Sequence, residues 1–320
     1  MTFLNEVRKR QKDLIKLVLN ETDFSSLPRG LVFSTLGARI CYASSHPLSI
    51  AREERFKDKE KSLSFLLRLK KAGHFSVFAH TPVVVNTKSF DYETKFHLAR
   101  TYFKAFFDEN EKVAYFNLRH FAESLDDETF SKLTSVDLDL KGIRTKVFSK
   151  TKDEWQEVFA GSLAEAVKVD WDNKKQDKKR EPEVIVLQDE FFPNWYVVVA
   201  HDFSRVFSHQ FVRHTWLNFN QRSHRYTKVD AYVVPQGLEK ERLKLYEELF
   251  DSALLHYETL IKEGVKKESA RFIVPQGAAT TVMASGTKFV WEDFVEKRAI
   301  PQAQEEVRSL ALLLKRILQT

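Results

Sequence analysis

One apolar stripe constrains this chain more than any other feature. In LEKERLKLYEELFDSALLHYETLIKEG (238–264), Leu243, Tyr246, Leu249, Phe250, Ala253, Leu254, Tyr257 and Leu260 recur every three or four residues. At helical periodicity they share one side, and Gly264 supplies the stop. A helix with one apolar side must lay it against another layer. Candidate partners are runs of strand character: FSVFAHTPVVVNT (75–87), EVIVLQ (183–188) and NWYVVVAHDF (194–203). Their β-branched residues favour a pleated sheet. The expected class is α+β, a mixed or antiparallel sheet with long helices.

Further helices are expected over 3–19, over 62–74 ending at Gly73, and over about 302–318, where Val307, Leu310, Ala311, Leu314 and Leu318 share a face. GLVFSTLGARICYAS (30–44) mixes strand and helix patterns. Between about 92 and 182 the character changes. YETKFHLARTYFKAFF and KDEWQEVFAGSLAEAVKVDW look helical, and DNKKQDKKREPE (172–183) looks like a solvated charged loop. The expected organisation is a single domain over 1–320 with a helical insertion at about 92–182. No internal repeat stands out.

The 320 residues can bury a sizeable core, and 27 phenylalanines point to one rich in rings or to aromatic walls around a site. A net charge of +6 suits anionic ligands such as nucleotides. One cysteine, Cys41, excludes an internal disulfide framework. No apolar run approaches a membrane span, and the charged start MTFLNEVRKRQKDLIKLVLNE lacks a secretory signal's apolar stretch. The cytoplasm is the expected compartment. No metal site and no membrane partner are expected.

The segment FVRHTWLNFNQRSHRYTKVD (211–230) holds three arginines, two histidines, two asparagines, a glutamine and a serine, with a single acid, Asp230. Arginine forks suit phosphate oxygens, and side-chain amides match the imide edge of a uracil or flavin ring. If the chain runs extended here, Gln221, Ser223 and Arg225 share one side and Asn220, Arg222 and His224 the other, so one segment can touch two ligands. The alternative is a surface stretch that solvates itself.

Arg213-His214, followed after Thr215 and seven further residues by Ser223-x-Arg225-Tyr226, resembles the signature of flavin-dependent thymidylate synthases, Arg-His-Arg, seven residues, Ser. Five other stretches are similar to elements of that family, in its order: GARICYAS (37–44), GHFSVFAHTPVVV (73–85), DFSRVFSHQFVRH (202–214), ARFIVP (270–275) and WEDFVEKRAIPQAQEEVR (291–308). The resemblance implies a methylene passed from methylenetetrahydrofolate to C5 of dUMP, a hydride from reduced FAD, re-reduction by NADPH, and no cysteine nucleophile. It also implies a homotetramer whose active sites are shared between subunits, with no nucleic-acid partner.

By position, Gln210, Gln221, Ser223, Arg225, Arg271 and Arg298 match the family's dUMP-binding set. Arg298 is the expected catalytic cation, favouring the deprotonated uracil; its bland alternative is an ion pair with Glu296 or Glu305. Arg271 has the alternative of a solvent-exposed cation. His80, Arg213, His214 and Asn220 match the flavin-contacting set, although a histidine beside a β-branched run also fits as a satisfied core residue. Ser223 lacks a base at motif spacing and reads as a hydrogen-bond donor. Cys41 reads as a packed thiol.

The sequence departs from the pattern in three places. Thr215 replaces the signature's last arginine, Gln221 stands where many members have Glu, and Thr287 and Phe289 stand where Asn-x-Arg often precedes the closing helix. Asn117 and Arg119 within YFNLRHF (115–121) are tentative replacements, or ordinary helix surface. Two rival readings remain: a catalytically idle flavin- or nucleotide-binding relative, and a basic nucleic-acid-binding protein.

Overall fold

The computed structural model describes residues 3–21, 27–101, 105–133, 138–151, 154–172 and 177–319. Its centre is a six-stranded sheet in the order Glu154–Ser162, Ile143–Thr151, Glu183–Asp189, Trp195–Ser204, Ala279–Thr287, Asn218–Gln221. Every neighbouring pair is antiparallel. The expected α+β class is therefore realised as helices on both faces of an antiparallel sheet.

Strand periodicity sorts the core into two layers. Ile185, Leu187, Val197, Val199 and Met283 turn to one face, covered by Val32, Phe33, Leu36 and Ile40 of the helix Leu27–Tyr42. Val184, Val186, Val198, Ala200, Val282 and Ala284 turn to the other. Covering that face are the helices Arg205–Phe211, Lys288–Arg298 and Glu305–Leu318, through Phe211, Trp291, Phe294, Leu310 and Leu314. Full burial of one such side chain contributes about 1.5–3 kcal/mol, so this pattern outweighs local propensity. The abundant phenylalanines form ring rows: Phe203, Phe207 and Phe211 follow one another at centroid distances of 4.3 and 4.9 Å.

The long helix is Lys240–Lys262, with Gly264 at φ +85° beyond it. Phe250, Leu254 and Tyr257 bury against Val229, Tyr232 and Ala278. Leu249, expected on the covered stripe, is 63% exposed. A smaller sheet places Val113–Asn117 between Pro82–Asn86 and Phe106–Asp108.

Three local expectations are corrected. Residues 75–87 are not one strand: Phe75–His80 is a 3-10 helix, and the strand is Pro82–Asn86. Proline at the first strand position lacks an N–H and marks that change. Within KDEWQEVFAGSLAEAVKVDW, Glu154–Ser162 is a sheet-edge strand and only Leu163–Ala166 is helical. Edge pairing to Ile143–Thr151 satisfies its backbone, while its mostly exposed side chains carry little periodicity signal. The stretch 92–182 thus contains sheet as well as helix. In the supposed solvated loop 172–183, Lys179–Arg180 pairs in parallel with Tyr232–Val233, and Glu183 is buried; residues 173–176 lie outside the described residues. Among the described residues no helix is long and apolar enough to cross a membrane.

Between the pairs Ala200–Val282 and Phe203–Thr280, His201 and Asp202 stand opposite Thr281 alone. This bulge puts Asp202 at φ +55° and re-aims two consecutive side chains.

Gly37 sits against the buried ring of His80: a Cβ there would lie 2.7 Å from His80 Cδ2. Although Ala favours a helix by about 1 kcal/mol, overpacking a ring held on both nitrogens costs more. Gly37→Ala is expected to lose about 1–3 kcal/mol of stability, read as a lowered urea midpoint at unchanged slope.

Candidate active site

The polar segment is held at both ends. Ser204 caps the helix Arg205–Phe211, its Oγ accepting from Phe207 N at 3.0 Å, while its own N–H donates to Glu306 at 2.9 Å. Asn218–Gln221 then pairs with the sheet, and Arg222 N–H continues the contact to Thr281 O at 2.9 Å. Ser223 N–H donates to Cys41 O at 2.9 Å, and Tyr226 and Thr227 N–H both return to Ser223 O, closing a turn.

Pairing ends at Gln221, yet the side chains keep alternating through the turn. Asn220, Arg222 and His224 are buried, whereas Gln221 and Ser223 are half-buried and Arg225 is exposed. On the inner side, the Asn220 amide lies 2.9 Å from His80 Nε2 and 3.1 Å from Cys41 Sγ. With its nitrogen toward His80 it also donates to Phe219 O at 3.0 Å and Ser76 O at 3.3 Å. His80 Nδ1 then donates to Ser285 Oγ at 2.8 Å. His80 is fully enclosed, with both ring nitrogens occupied. Burial pushes the Cys41 thiol up, against the lowering effect of Asn220 and Gln221.

Two cationic groupings flank this network. In the first, Arg225 pairs with Glu268 through Nε at 3.0 Å, and Arg271 Nε donates to Glu268 O at 3.2 Å. Arg271, Arg205 and His224 line a pocket of about 330 Å³ with Gln276 and Phe272. Burial and then Arg271 push Arg205 below its ordinary value. Burial, then Arg205 and Arg222, push His224 down to about 4. Such a site is pre-charged for an anion. Gln221 Nε2 donates to Thr280 Oγ1 at 3.2 Å, and Gln210 is half-buried on the helix Arg205–Phe211.

In the second grouping, His214 is buried with Nε2 3.3 Å from Asp293 Oδ2 and its ring edge-on to Phe294. Burial lowers its pKa, Asp293 opposes that, and Lys297 and Arg298 add to it. Arg298 Nε is shielded from solvent and has no hydrogen-bond partner among the described residues. Arg213, Thr215 and Trp216 lie exposed beside His214. The structure therefore joins Arg225 with Arg271, and His214 with Arg298, as two neighbourhoods.

The tentative pair has ordinary occupations. Asn117 caps the helix Leu118–Ser124, and Arg119 Nε pairs with Glu123 at 2.7 Å. Phe289 stacks on Phe106 at 4.9 Å. Sequence reasoning did not nominate Arg205 or His224. Arg205 stands inside DFSRVFSHQFVRH, the signal that would have found it; His224 was placed only by alternation.

Residues 194–320 match the family model described as thymidylate synthase complementing protein. The chain is 28% identical over 181 residues to the flavin-dependent thymidylate synthase of Sulfurisphaera tokodaii, covering 53% of this chain and 70% of that one. The enzyme of the same name from Saccharolobus solfataricus gives the same identity and coverage. That of Thermococcus onnurineus is 34% identical over 116 residues, 34% of this chain and 47% of that one.

The depressed His224 sets a pH dependence. An unfolded ring protonates near 6.5 and the folded one near 4, so between those values the unfolded state binds more protons and stability falls as pH drops. His224→Gln is expected to flatten this limb by roughly 3 kcal/mol, read from urea midpoints across that pH range.

Proposed function

We propose that this chain, whose residues 194–320 match the family model described as thymidylate synthase complementing protein, is a flavin-dependent thymidylate synthase. It methylates dUMP to dTMP, with methylenetetrahydrofolate as one-carbon donor and NADPH as reductant. The observation that carries the reading is the convergence of Arg205, Arg271 and His224 on one pocket beside Arg225 and Ser223.

The nucleotide phosphate is taken by Arg225 and Arg271, now held by Glu268, with Arg205 adding charge from inside. Charge-assisted hydrogen bonds to a dianion replace a surface ion pair that contributes little by itself. Ser223 donates from the turn, and Gln210 and Gln221 present amides to the uracil edge. Arg298, with a guanidinium nitrogen lacking a partner, favours the deprotonated uracil and so raises electron density at C5. The raised Cys41 thiol stays protonated near neutral pH, which supports catalysis without a cysteine nucleophile.

FAD fits the second neighbourhood. Arg213 offers an exposed cation, Trp216 is 50% exposed beside it, and His214 has an Nε2 without a well-formed hydrogen bond. Reduced flavin, when bound there, supplies the hydride. Arg213 and His214 contact it, Asn220 orients the strand beneath it, and His80 positions Asn220. In this reading Thr215 leaves the flavin's phosphates one cation fewer. A homotetramer brings the two neighbourhoods of different chains together; Phe272, 85% exposed, and Tyr226, 53% exposed, supply apolar surface next to the pocket.

The test is tritium release from 5-tritiated dUMP by flavin-loaded protein with methylenetetrahydrofolate and NADPH. Wild type is expected to release tritium only when all are present. Arg298→Ala is expected to keep its flavin absorbance and lose about 100-fold in rate. No release by wild type overturns the proposed activity, and unchanged release by the variant removes Arg298 from its role.

A further inference from the structure

A second constellation lies at the other end of the sheet bulge. His46, Glu183 and His201 are buried, 2%, 8% and 3% exposed, and each offers a ligand atom within 4.8 Å of the others. They open on a pocket of about 490 Å³ that also touches Trp171, Lys150 and Asp202. We propose that His46, Glu183 and His201 bind one divalent first-row transition ion such as Zn2+, with a coordination position open to this pocket.

Two imidazoles and a carboxylate form a nitrogen-rich set that favours Zn2+ or Co2+ over Mg2+ or Ca2+. Ligands about 2.1 Å from Zn2+ stand roughly 3.4 Å apart in a tetrahedron. His46 Nε2 and Glu183 Oε2 are 3.0 Å apart already and all three ligand atoms lie within 4.8 Å of one another, so closure asks for shifts of no more than about 1.5 Å. Glu183 and His201 each have an orienting partner of the kind metal sites use. His201 Nδ1 lies 2.9 Å from Thr281 Oγ1; in the tautomer that donates to this hydroxyl, Nε2 keeps its lone pair for an ion. Ser149 Oγ donates to Glu183 Oε1 at 3.5 Å, and Trp171 stacks on His46 at 5.2 Å. The bulge opposite Thr281 delivers His201 to this pocket. Asp202, 3.4 Å from His201 Nε2 and 3.7 Å from Arg180 Nε, adds negative charge that Arg180 offsets.

One interaction must yield. Leu48 N–H now donates to His46 Nδ1 at 3.2 Å, so the ring proton sits on Nε2 and bridges to Glu183. An ion takes that proton's place, the proton moves to Nδ1, and the helix Pro47–Ile50 loses its cap. Losing one cap costs far less than the binding of such an ion typically contributes. The competing outcome is a buried hydrogen-bonded pair that never binds metal.

Tag-free, full-length protein is stripped with chelator, dialysed and titrated with Co2+, followed by visible d–d absorption and by metal analysis after gel filtration. The expected result is one Co2+ per chain, displaced by Zn2+, with binding weakened at least tenfold in Glu183→Gln and His201→Gln. Glu183→Gln keeps an acceptor for His46 Nε2, and far-ultraviolet dichroism checks that each variant is folded. Should one variant unfold, the other and a Zn2+-dependent rise in wild-type Tm carry the test. Uptake by wild type no greater than by a folded variant, or no uptake at all, overturns the site.

Discussion

The antiparallel seam between Asn218–Gln221 and Ala279–Thr287 is the constraint on which the candidate site depends. It fixes the register of an edge strand, and register decides which side chains face inward. A one-residue slip would turn Asn220 away from His80 and bring Phe219 into a polar network. The seam is stabilised from below by the His80–Ser285 and His80–Asn220 contacts and continued by Arg222 N–H to Thr281 O. Beyond it, the turn at Ser223 sends Arg225 outward while His224 enters the pocket of Arg205 and Arg271. The paired sheet sets orientation and the outward arginines supply charge.

The interior strand Ala279–Thr287 supports polar contacts near both of its ends on one face of the sheet. Thr281 faces the bulge at His201–Asp202, and Ser285 faces His80. Polar residues buried on an interior strand are costly unless they find partners; Thr281 and Ser285 each meet a histidine, and Thr280 meets Gln221. Arg222 is the most enclosed of the segment's cations; burial lowers its pKa and Asp202 opposes that. This links the polar segment to the second pocket through charge.

Much of this was legible in the sequence. The helices Phe3–Asn20, Lys240–Lys262 and Glu305–Leu318 follow from apolar stripes, and Glu183–Asp189 and Trp195–Ser204 from β-branched runs. Alternation over 220–225 placed the inner and outer side chains even where the chain turns. Other features were not legible, for physical reasons. Glu154–Ser162 is an edge strand whose exposed side chains carry no clear period. Asp202 owes its place to a bulge, which is a property of the pairing and not of the strand's own residues. The buried trio draws its first contact from residues 137 apart in sequence, His46 and Glu183, so no local spacing announces it. His80 fits both a ligand contact and a core residue by sequence; in the fold it is enclosed and bonded to Asn220 and Ser285.

The central claim is that Arg225 and Arg271, linked through Glu268, form one anion site for the nucleotide. The direct measurement is the Kd of dUMP for flavin-loaded protein, followed by the flavin difference spectrum, in wild type, Arg225→Ala, Arg271→Ala and the double variant. Each single change is expected to weaken binding at least tenfold and the double change to weaken it by less than the product, because both act on one phosphate. An unchanged Kd in both single variants would contradict it.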